Sequence, residues 1–496
     1  MPVCDTLIRN ARVIDGSGSE SQAVDVAIEG DRICAVGQLA GYTASQITDG
    51  SGHVLAPGFI DVHTHDDTNV IRTPEMLPKL SQGVTTVIVG NCGISAAPVH
   101  LAGDPPDPMN LLGNASVFHY PTFAAYVAAI DAVQPAVNVA ALVGHTALRN
   151  NHMDRLDRSA TVAEIEAMRS QLLEALDCGA LGLSSGLAYL SANAASTEEV
   201  LALAEPLAAV GAIYTTHLRS ETEAILEAMH EAFRIGRECG VAVVISHLKC
   251  AGIDNWGRSG EVLQALETVQ VSQPVSWDCY PYAAGSSTLD LRQVDERVEI
   301  MITWCTPHPE MAGRTLKQIA QNWNVDQIEA ARRLQPAGAI YHSISEDDMR
   351  RILQHPATMI GSDGLPNDPL PHPRLWGTFP RVLGRFTRDE RLFSLANAVH
   401  KMTGMPAGRF GLVDRGLIRA GYHADLVLFD PETIRDTATF ANPVCAAEGI
   451  ARVWVNGVMS HSGNTPTGQR GGRFLPRSAA AQRGNLHSLQ KLRRSR

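Results

Sequence analysis

Eight short apolar runs recur along the middle of the chain, and amphipathic stretches separate several of them. The runs are HVLAPGFIDV, VTTVIVGNC, VNVAALVGH, ALGLSSG, AIYTTHL, VAVVISHLK, PVSWDCYPY and ATMIGSDG. The stretches TVAEIEAMRSQLLEALDCG and ETEAILEAMHEAFRIGRECG have the apolar spacing of surface helices. Continuous apolar runs alternating with helices are typical of a parallel sheet, so eight such units predict a closed (β/α)8 TIM-like barrel over residues 58–414. An open doubly wound sheet is the alternative, although no glycine-rich phosphate loop follows the first run.

The two ends of the chain share a sequence pattern that differs from that of the middle. Short strand-like segments with Gly, Asp and Asn at the turns fill residues 1–57, and similar segments, ADLVLFD and ARVWVNGVMS, return within residues 415–475. Together they predict one small β-sandwich domain beside the barrel. The interval between the seventh and eighth runs is too long for one helix, and TLKQIAQNW and QIEAARRL predict an inserted helical subdomain at about residues 285–345. Residues 476–496 are polar, basic and aperiodic, which predicts a flexible tail.

Composition narrows the class of protein. The chain has 496 residues, 45% apolar and 19% charged, which is typical of a compact protein larger than a single-core domain. A net charge of −11 argues against a nucleic acid or an anionic membrane as partner, since both require a basic face. The sequence shows neither a long apolar span nor a signal peptide, and its nine cysteines are scattered without CxxC spacing. We therefore expect a cytoplasmic protein in a reducing compartment, and its oligomeric state stays open.

Polar residues of a few types follow five of the apolar runs. In a barrel of this kind the chemistry lies at the carboxyl ends of the strands. These residues are His63, His65, Cys92, His217, His247 and Asp363. Each alone has a structural explanation, such as a buried thiol, a hydrogen-bonded core imidazole or a carboxylate that caps a turn. Six such residues at one end of one barrel favour a functional site instead.

The residue types indicate a metal centre. His63 and His65 are two positions apart on a strand, so their side chains project to the same side. Four imidazoles and a thiolate exceed the usual three protein ligands of one catalytic zinc, which predicts two adjacent sites. His63 and His65 would hold one metal and His217 and His247 the other, with Cys92 available to both. A water activated by zinc would then require a general base, and Asp363 is the candidate.

Several motifs together resemble the amidohydrolase superfamily and, within it, the N-acyl-D-amino-acid deacylases, or D-aminoacylases. The motifs are PGFIDVHTHDD, VGNCG, THLRSE, SHLKC, YPYAAGSSTL and GSDGLPNDPLPHPRLWGTFPRVLG, and the similarity extends from about residue 5 to about residue 475. The resemblance implies a barrel with a β-sandwich, and zinc-dependent hydrolysis of an N-acyl-D-amino acid, a small-molecule substrate, to a carboxylate and a free D-amino acid. It also implies that Asp363 is the catalytic acid/base, that Cys92, His217 and His247 hold a tightly bound zinc, and that the His63–His65 site is weaker.

The resemblance further assigns residues to the substrate. It places Lys249, Tyr280 and Arg374 at the substrate carboxylate, with Ser286 nearby in the same loop system. Arg219 follows His217 by two positions, so we expect it to contact a polar substrate side chain. An N-acyl-D-aspartate or N-acyl-D-glutamate deacylase stays an alternative, with Arg219 and Lys249 serving a second carboxylate.

A second alternative is a cyclic-amide hydrolase of the hydantoinase or dihydroorotase type, and a barrel that only binds is a third. Many relatives bridge two metals with a carbamylated lysine from the third or fourth strand. This chain has no lysine between Lys79 and Lys249, which argues against hydantoinase-like chemistry.

Overall fold

The computed structural model describes residues 2–463 and 465–478, and a closed parallel barrel lies at its centre. Within this part of the chain the barrel strands are Phe59–Asp61, Val84–Val89, Asn138–Ala141 with its continuation Val143–Gly144, Gly182–Gly186, Ile213–His217, Ala242–Ile245, Val275–Cys279 and Thr358–Ile360. Each pairs in parallel with the next. A parallel bridge between Thr64 and Gly364 joins the end of the eighth strand to the end of the first. The predicted (β/α)8 barrel is confirmed.

Helices cover the outside of the barrel, so its strands are buried on both faces. All six residues of Val84–Val89, for example, are buried. The α-helices are Asn69–Arg72, Leu77–Leu80, Phe123–Val133, His145–His152, Val162–Asp177, Leu190–Asn193, Thr197–Ala204, Ile225–Cys239, Ser259–Gln270, Leu316–Trp323, Gln327–Leu334, Glu346–Gln354, Arg374–Arg381, Leu395–Met402 and Gly404–Phe410, and Val382–Asp389 is π-helical. Val162–Asp177 begins with a capping box between Thr161 and Glu164, a local signal that stabilises a helix start by about 1 kcal/mol.

Both ends of the chain contribute to a pair of packed sheets. The four-stranded sheet has the order Arg32–Gly37, Asp25–Glu29, Val3–Arg9, Thr43–Asp49. The second has the order Thr465–Pro466, Val458–Ser462, Ile450–Val455, Leu426–Phe429, Val54–Pro57, Arg12–Val13, Gln22–Ala23. Ile8 and Val26 of the first sheet share one apolar cluster with Leu55 and Trp454 of the second. The predicted domain limits, 1–57, 58–414 and 415–475, stay predictions.

The segment between the seventh and eighth barrel strands is mixed rather than only helical. The two helices indicated by TLKQIAQNW and QIEAARRL are present as Leu316–Trp323 and Gln327–Leu334. They pack with an antiparallel sheet of Gly285–Thr288, Ile300–Cys305 and Ala337–Tyr341 that the sequence analysis did not predict. Its central strand, AGAIY, is rich in Ala and Gly, which are poor strand formers, and its partners lie far away along the chain.

The predicted tail, 476–496, lies outside the described residues from position 479 onward. Its first residues are packed rather than free. The Arg477 guanidinium donates hydrogen bonds to the carbonyl oxygens of Leu176, at 2.9 Å, and Ala180, at 3.1 Å. Across 2–463 and 465–478, no helix combines the length and apolar character that crossing a bilayer requires.

Candidate active site

Three of the predicted site residues lie where barrel strands end in a strained backbone turn. Cys92, His247 and Asp363 have φ values of 54°, 37° and 49°, in the left-handed region that side chains with a Cβ rarely adopt. Gly90 makes the Cys92 turn possible, since its φ is 79° and an added Cβ would lie 2.2 Å from the carbonyl oxygen of Leu142. Backbone strain of this kind clusters at functional sites.

The Cys92 thiol is the centre of the site. Its Sγ lies 3.2 Å from Nε2 of His63 and 3.3 Å from Nε2 of His247. With a carboxylate oxygen of Asp363, these atoms all lie within 4.8 Å of one another. Such a mixture of nitrogen, sulfur and oxygen donors fits a borderline-soft divalent metal such as zinc.

The other two predicted histidines border this cluster. Nε2 of His65 lies 3.2 Å from Oδ1 of Asp363. The His217 ring lies 4.4 Å from the His247 ring, centroid to centroid, and its buried Nδ1 has no hydrogen-bond partner among the described residues. An unpaired buried ring nitrogen beside a second imidazole fits a metal ligand. The structure thus brings all six predicted residues together, although its clusters, His63–Cys92–His247–Asp363 and His217–Glu221–His247, differ from the predicted histidine pairs.

Protonation states in the cluster match the requirements of metal binding. Burial lowers the pKa of His63 to about 3, and burial with the neighbouring Lys249 lowers the pKa of His247 to about 3, so both rings are neutral near neutral pH. Neutral imidazole is the form that ligates a metal. Burial also raises the pKa of the Cys92 thiol well above its usual range. A cation beside the sulfur would offset that cost, because metal ligation favours the thiolate.

Asp363 stands between the histidines and a buried arginine. Its Oδ1 faces His63 and His65, while its Oδ2 lies 2.9 Å from Nη1 of Arg374. Burial by itself would raise the pKa of Asp363, but the Arg374 guanidinium and the neighbouring imidazoles outweigh burial and hold the pKa well below its usual range. Asp363 is therefore an ionised carboxylate that can accept a proton.

A cavity opens beside this cluster, and four of the predicted substrate-binding residues line it: Lys249, Tyr280, Ser286 and Arg374. In the described part of the chain the Tyr280 and Ser286 hydroxyls and Nε of Arg374 are buried without a hydrogen-bond partner. The Arg374 guanidinium also lies 4.6 Å from the centre of the Tyr280 ring. Unpaired buried donors on one wall indicate an anionic or strongly accepting ligand group.

Arg219 is not brought into the site. Its Nη2 lies 2.7 Å from Oε1 of Glu231 and its Nη1 donates to the carbonyl oxygen of Asn193 at 2.8 Å. Among the described residues, Arg219 is not one of those that line the cavity. The structure thus places Arg219 in an ion pair with Glu231, on helix Ile225–Cys239, and the contact of Arg219 with the substrate stays a prediction.

The model for the amidohydrolase family matches residues 46–461. The chain belongs to the amidohydrolase family. Its resemblance to that family, indicated by the motifs, is confirmed.

Two relatives match this amidohydrolase over nearly its whole length. It is 50% identical to a D-aminoacylase of Alcaligenes xylosoxydans xylosoxydans over 476 residues, covering 96% of this chain and 98% of the relative. It is 48% identical to an N-acyl-D-aspartate deacylase of the same organism over 472 residues, covering 95% of each chain.

Two solved structures superpose closely on this amidohydrolase. One is a D-aminoacylase with a binuclear metal centre, described by one-metal activation and second-metal attenuation, with a TM-score of 0.94 and 49% identity over 96% of this chain and 100% of that one. The other is N-acyl-D-glutamate deacylase from Bordetella bronchiseptica with zinc and a phosphonate mimic of the tetrahedral intermediate, with a TM-score of 0.92 and 44% identity over 96% of this chain and 100% of that one.

Three charged residues of the amidohydrolase site were missed by sequence reasoning. Glu221 lies beside His217 and His247. The sequence feature that could have identified it is its position four residues after His217 in THLRSE. Asp278 lies one residue before the end of the seventh strand. Its Oδ2 lies 3.4 Å from Nδ1 of His63, and its Oδ1 accepts a hydrogen bond from the His247 amide at 3.0 Å. Burial raises the pKa of Asp278 to about 7.

The third missed residue, Lys79, explains an aspartate of the HDD motif. Its ammonium is fully buried between Oδ2 of Asp61, at 2.8 Å, and Oδ2 of Asp66, at 3.1 Å. It also donates to Oγ of Ser362 at 3.0 Å. Lys79 thus joins the end of the first strand to the residue before Asp363, and no local pattern of the sequence indicates this contact.

Proposed function

We propose that this amidohydrolase is a zinc-dependent deacylase of N-acyl-D-amino acids. The observation that carries the proposal is the convergence of the Cys92 thiol, two imidazoles and an ionised Asp363 beside a cavity lined by unpaired donors. The near-full-length similarity to D-aminoacylase and to two acidic-substrate deacylases supports the choice of substrate class. The products would be a carboxylate and a free D-amino acid.

Cys92, His217 and His247 would hold the tightly bound zinc, and His63 and His65 a second, weaker one. The one-metal activation and second-metal attenuation described for D-aminoacylase support one activating site and a second, different one. Bound zinc would supply Lewis acidity, which makes a water molecule acidic enough to ionise near neutral pH and polarises the amide carbonyl.

Asp363 would move the proton. Its ionised carboxylate accepts the proton of the attacking water on Oδ1, the oxygen that faces His63 and His65. The same oxygen then delivers that proton to the amide nitrogen as the carbon–nitrogen bond breaks, so the leaving group departs as a neutral amine. Arg374 keeps the carboxylate ionised between turnovers by its contact with Oδ2.

Arg374, Tyr280, Lys249 and Ser286 would bind the substrate carboxylate. Nε of Arg374 and the hydroxyls of Tyr280 and Ser286 are buried donors without partners in the described residues, so a bound carboxylate would satisfy them. A charge-assisted hydrogen bond to a buried group contributes more than a neutral one. This grip would fix the scissile amide over the metal centre and lower the entropic cost of reaction.

The charges around the cavity favour substrates with uncharged side chains. The additional arginine at the wall, Arg292, is paired with Asp290, since Nη2 lies 2.6 Å from Oδ2. Lys249 is paired with Glu221 and is already assigned to the carboxylate that all these substrates share, and Arg219 lies outside the cavity. An acidic side chain would therefore find no unpaired cation among these residues. A deacylase of acidic substrates remains the second candidate, because this chain is 48% identical to an N-acyl-D-aspartate deacylase.

The test is a substrate panel with purified, zinc-loaded protein. N-acetyl-D-methionine, its L enantiomer, N-acetyl-D-glutamate, N-acetyl-D-aspartate and a hydantoin are assayed for release of free amine or ring opening. We expect hydrolysis of N-acetyl-D-methionine above all others and none of its enantiomer. Preferred hydrolysis of an acidic compound would select the second candidate, and ring opening of the hydantoin alone would refute both.

A further inference from the structure

Glu221 is a buried carboxylate in contact with three groups of the site. It follows His217 by four residues, and its side chain is 11% exposed. Oε2 lies 3.4 Å from Nε2 of His217. Oε1 lies 3.0 Å from Nδ1 of His247 and 2.6 Å from Nζ of Lys249. The proposed reaction assigns Glu221 no step.

The contact with Lys249 argues against Oε1 of Glu221 as a metal ligand. A carboxylate oxygen ligates zinc at about 2.0–2.2 Å. An ion at that distance from Oε1 would lie close to the Lys249 ammonium, which already occupies 2.6 Å from that oxygen, and like charges so close repel strongly in a buried site.

The His247 ring instead presents its two nitrogens to different groups. Nε2 faces the Cys92 thiol at 3.3 Å, and Nδ1 faces Glu221 at 3.0 Å. A histidine ligates through the nitrogen without a proton, so ligation through Nε2 requires the proton on Nδ1. Glu221 is placed to accept that proton's hydrogen bond, which stabilises the ligating tautomer and fixes the ring orientation.

Lys249 is a hydrogen-bond donor that competes with Glu221 for Nδ1 of His247. Its Nζ lies 2.9 Å from Nδ1 of His247. An ammonium only donates, so a hydrogen bond from Lys249 to Nδ1 would leave the ring proton on Nε2, the atom that faces Cys92. Glu221 accepts a hydrogen bond from Lys249 at the same time, at 2.6 Å, and so offers the ammonium an alternative acceptor to Nδ1. His217 also faces Glu221 with one ring nitrogen, but the two nitrogens have exchanged roles. Its Nε2 faces Glu221, and its buried Nδ1 has no hydrogen-bond partner among the described residues.

We propose that Glu221 is a positioning residue that holds His217 and His247 in their metal-ligating tautomers, at His247 against competition from Lys249. The inference rests on the proposed function only in taking these two histidines as metal ligands. In this role Glu221 contacts the ligating histidines. We therefore expect a change at Glu221 to alter metal affinity and ligand geometry first, and turnover only as a consequence.

The experiment compares Glu221→Gln and Glu221→Asp with Glu223→Gln, a neutralisation two residues further along the same loop at an exposed position. Zinc affinity of each folded protein is measured by competition with a chromogenic chelator. We expect Glu221→Gln to bind zinc about 10–100-fold more weakly, the range for partners that orient a ligating histidine. Glu221→Asp keeps the charge on a shorter side chain and should lose less, and Glu223→Gln should match the parent protein.

A second readout uses cobalt in place of zinc. The visible absorption spectrum of the cobalt protein reports ligand geometry, and we expect it to change in Glu221→Gln and not in Glu223→Gln. Unchanged zinc affinity and an unchanged cobalt spectrum in Glu221→Gln would overturn the proposal. If Glu221→Gln does not fold, the Glu221→Asp measurements decide by the same criteria. A parent protein that binds zinc but hydrolyses no N-acyl-D-amino acid would refute the proposed function and leave the Glu221 test intact.

Discussion

Arg374 and Asp363 form a buried ion pair: Nη1 lies 2.9 Å from Oδ2, with the arginine side chain 1% and the aspartate side chain 10% exposed. The pair joins the proposed carboxylate-binding wall to the proposed general base. Replacing Arg374 with Met would leave Asp363 buried without its counter-charge, which costs about 3–5 kcal/mol in comparable pairs. We expect a lower melting temperature and a kcat/KM reduced at least a hundredfold for N-acetyl-D-methionine.

Arg219→Met is the matched control for that variant. It removes a pair with Glu231 whose arginine side chain is partly exposed and lies outside the cavity, and partly exposed pairs contribute little stability. Thermal unfolding should show a small loss of stability, and steady-state kinetics should give the kcat and KM of the parent protein. Unaltered kcat/KM in Arg374→Met would contradict the role assigned to the arginine.

Asp363→Asn should separate metal binding from turnover. The amide has nearly the same shape as the carboxylate but cannot accept the proton of water, so we expect kcat to fall about 10²–10⁴-fold. Cys92, His217 and His247 remain, so bound zinc, measured by elemental analysis, should stay at the parent level. An active Asp363→Asn variant would remove the proposed general base.

Lys79→Met should destabilise the fold rather than change substrate preference. The fully buried ammonium contacts Asp61 and Asp66, and its loss would leave two buried carboxylates without a cation, at a cost of about 3–5 kcal/mol. Urea denaturation followed by circular dichroism measures the free energy of unfolding. Lys317→Met, at an exposed helical position, is the control and should change it by less than about 0.5 kcal/mol.

Asp368 should make stability fall with rising pH. Burial raises its pKa from 3.8 to about 7, although it accepts hydrogen bonds from Thr303, at 2.6 Å, and from the Leu370 amide, at 3.0 Å. Between these two pKa values the folded state binds more protons than the unfolded state, so stability decreases as pH rises from about 4 to about 7. The fully ionised form above pH 7 is the least favourable.

Asp368→Asn removes this titration while keeping a hydrogen-bonding side chain. The stabilities of the variant and the parent protein should be most similar near pH 4, and the advantage of the variant should grow by at least about 1 kcal/mol between pH 4 and pH 8. A difference between the two proteins that does not change with pH would show that Asp368 does not titrate in this range.

The barrel and the donor set were predictable because their signals are local. Buried parallel strands are continuous apolar runs, and a metal-binding strand end carries His and Cys within a few residues of the run, as in His63, His65 and Cys92. The helices at Leu316–Trp323 and Gln327–Leu334 were recognisable for the same reason, since amphipathic spacing and capping are local. The insertion's sheet was not, because AGAIY becomes a strand only through partners far along the chain.

By itself, the sequence determined the fold class, the family and which residue types meet at the strand ends, because period and strand order place those ends on one rim. Only the tertiary structure decided how the charges pair. Arg219 is captured by Glu231, Lys79 is enclosed by Asp61 and Asp66, and Glu221 reaches two histidines and Lys249. A long charged side chain can pair with any opposite charge within a few ångströms. Only three-dimensional packing establishes which charges lie that close.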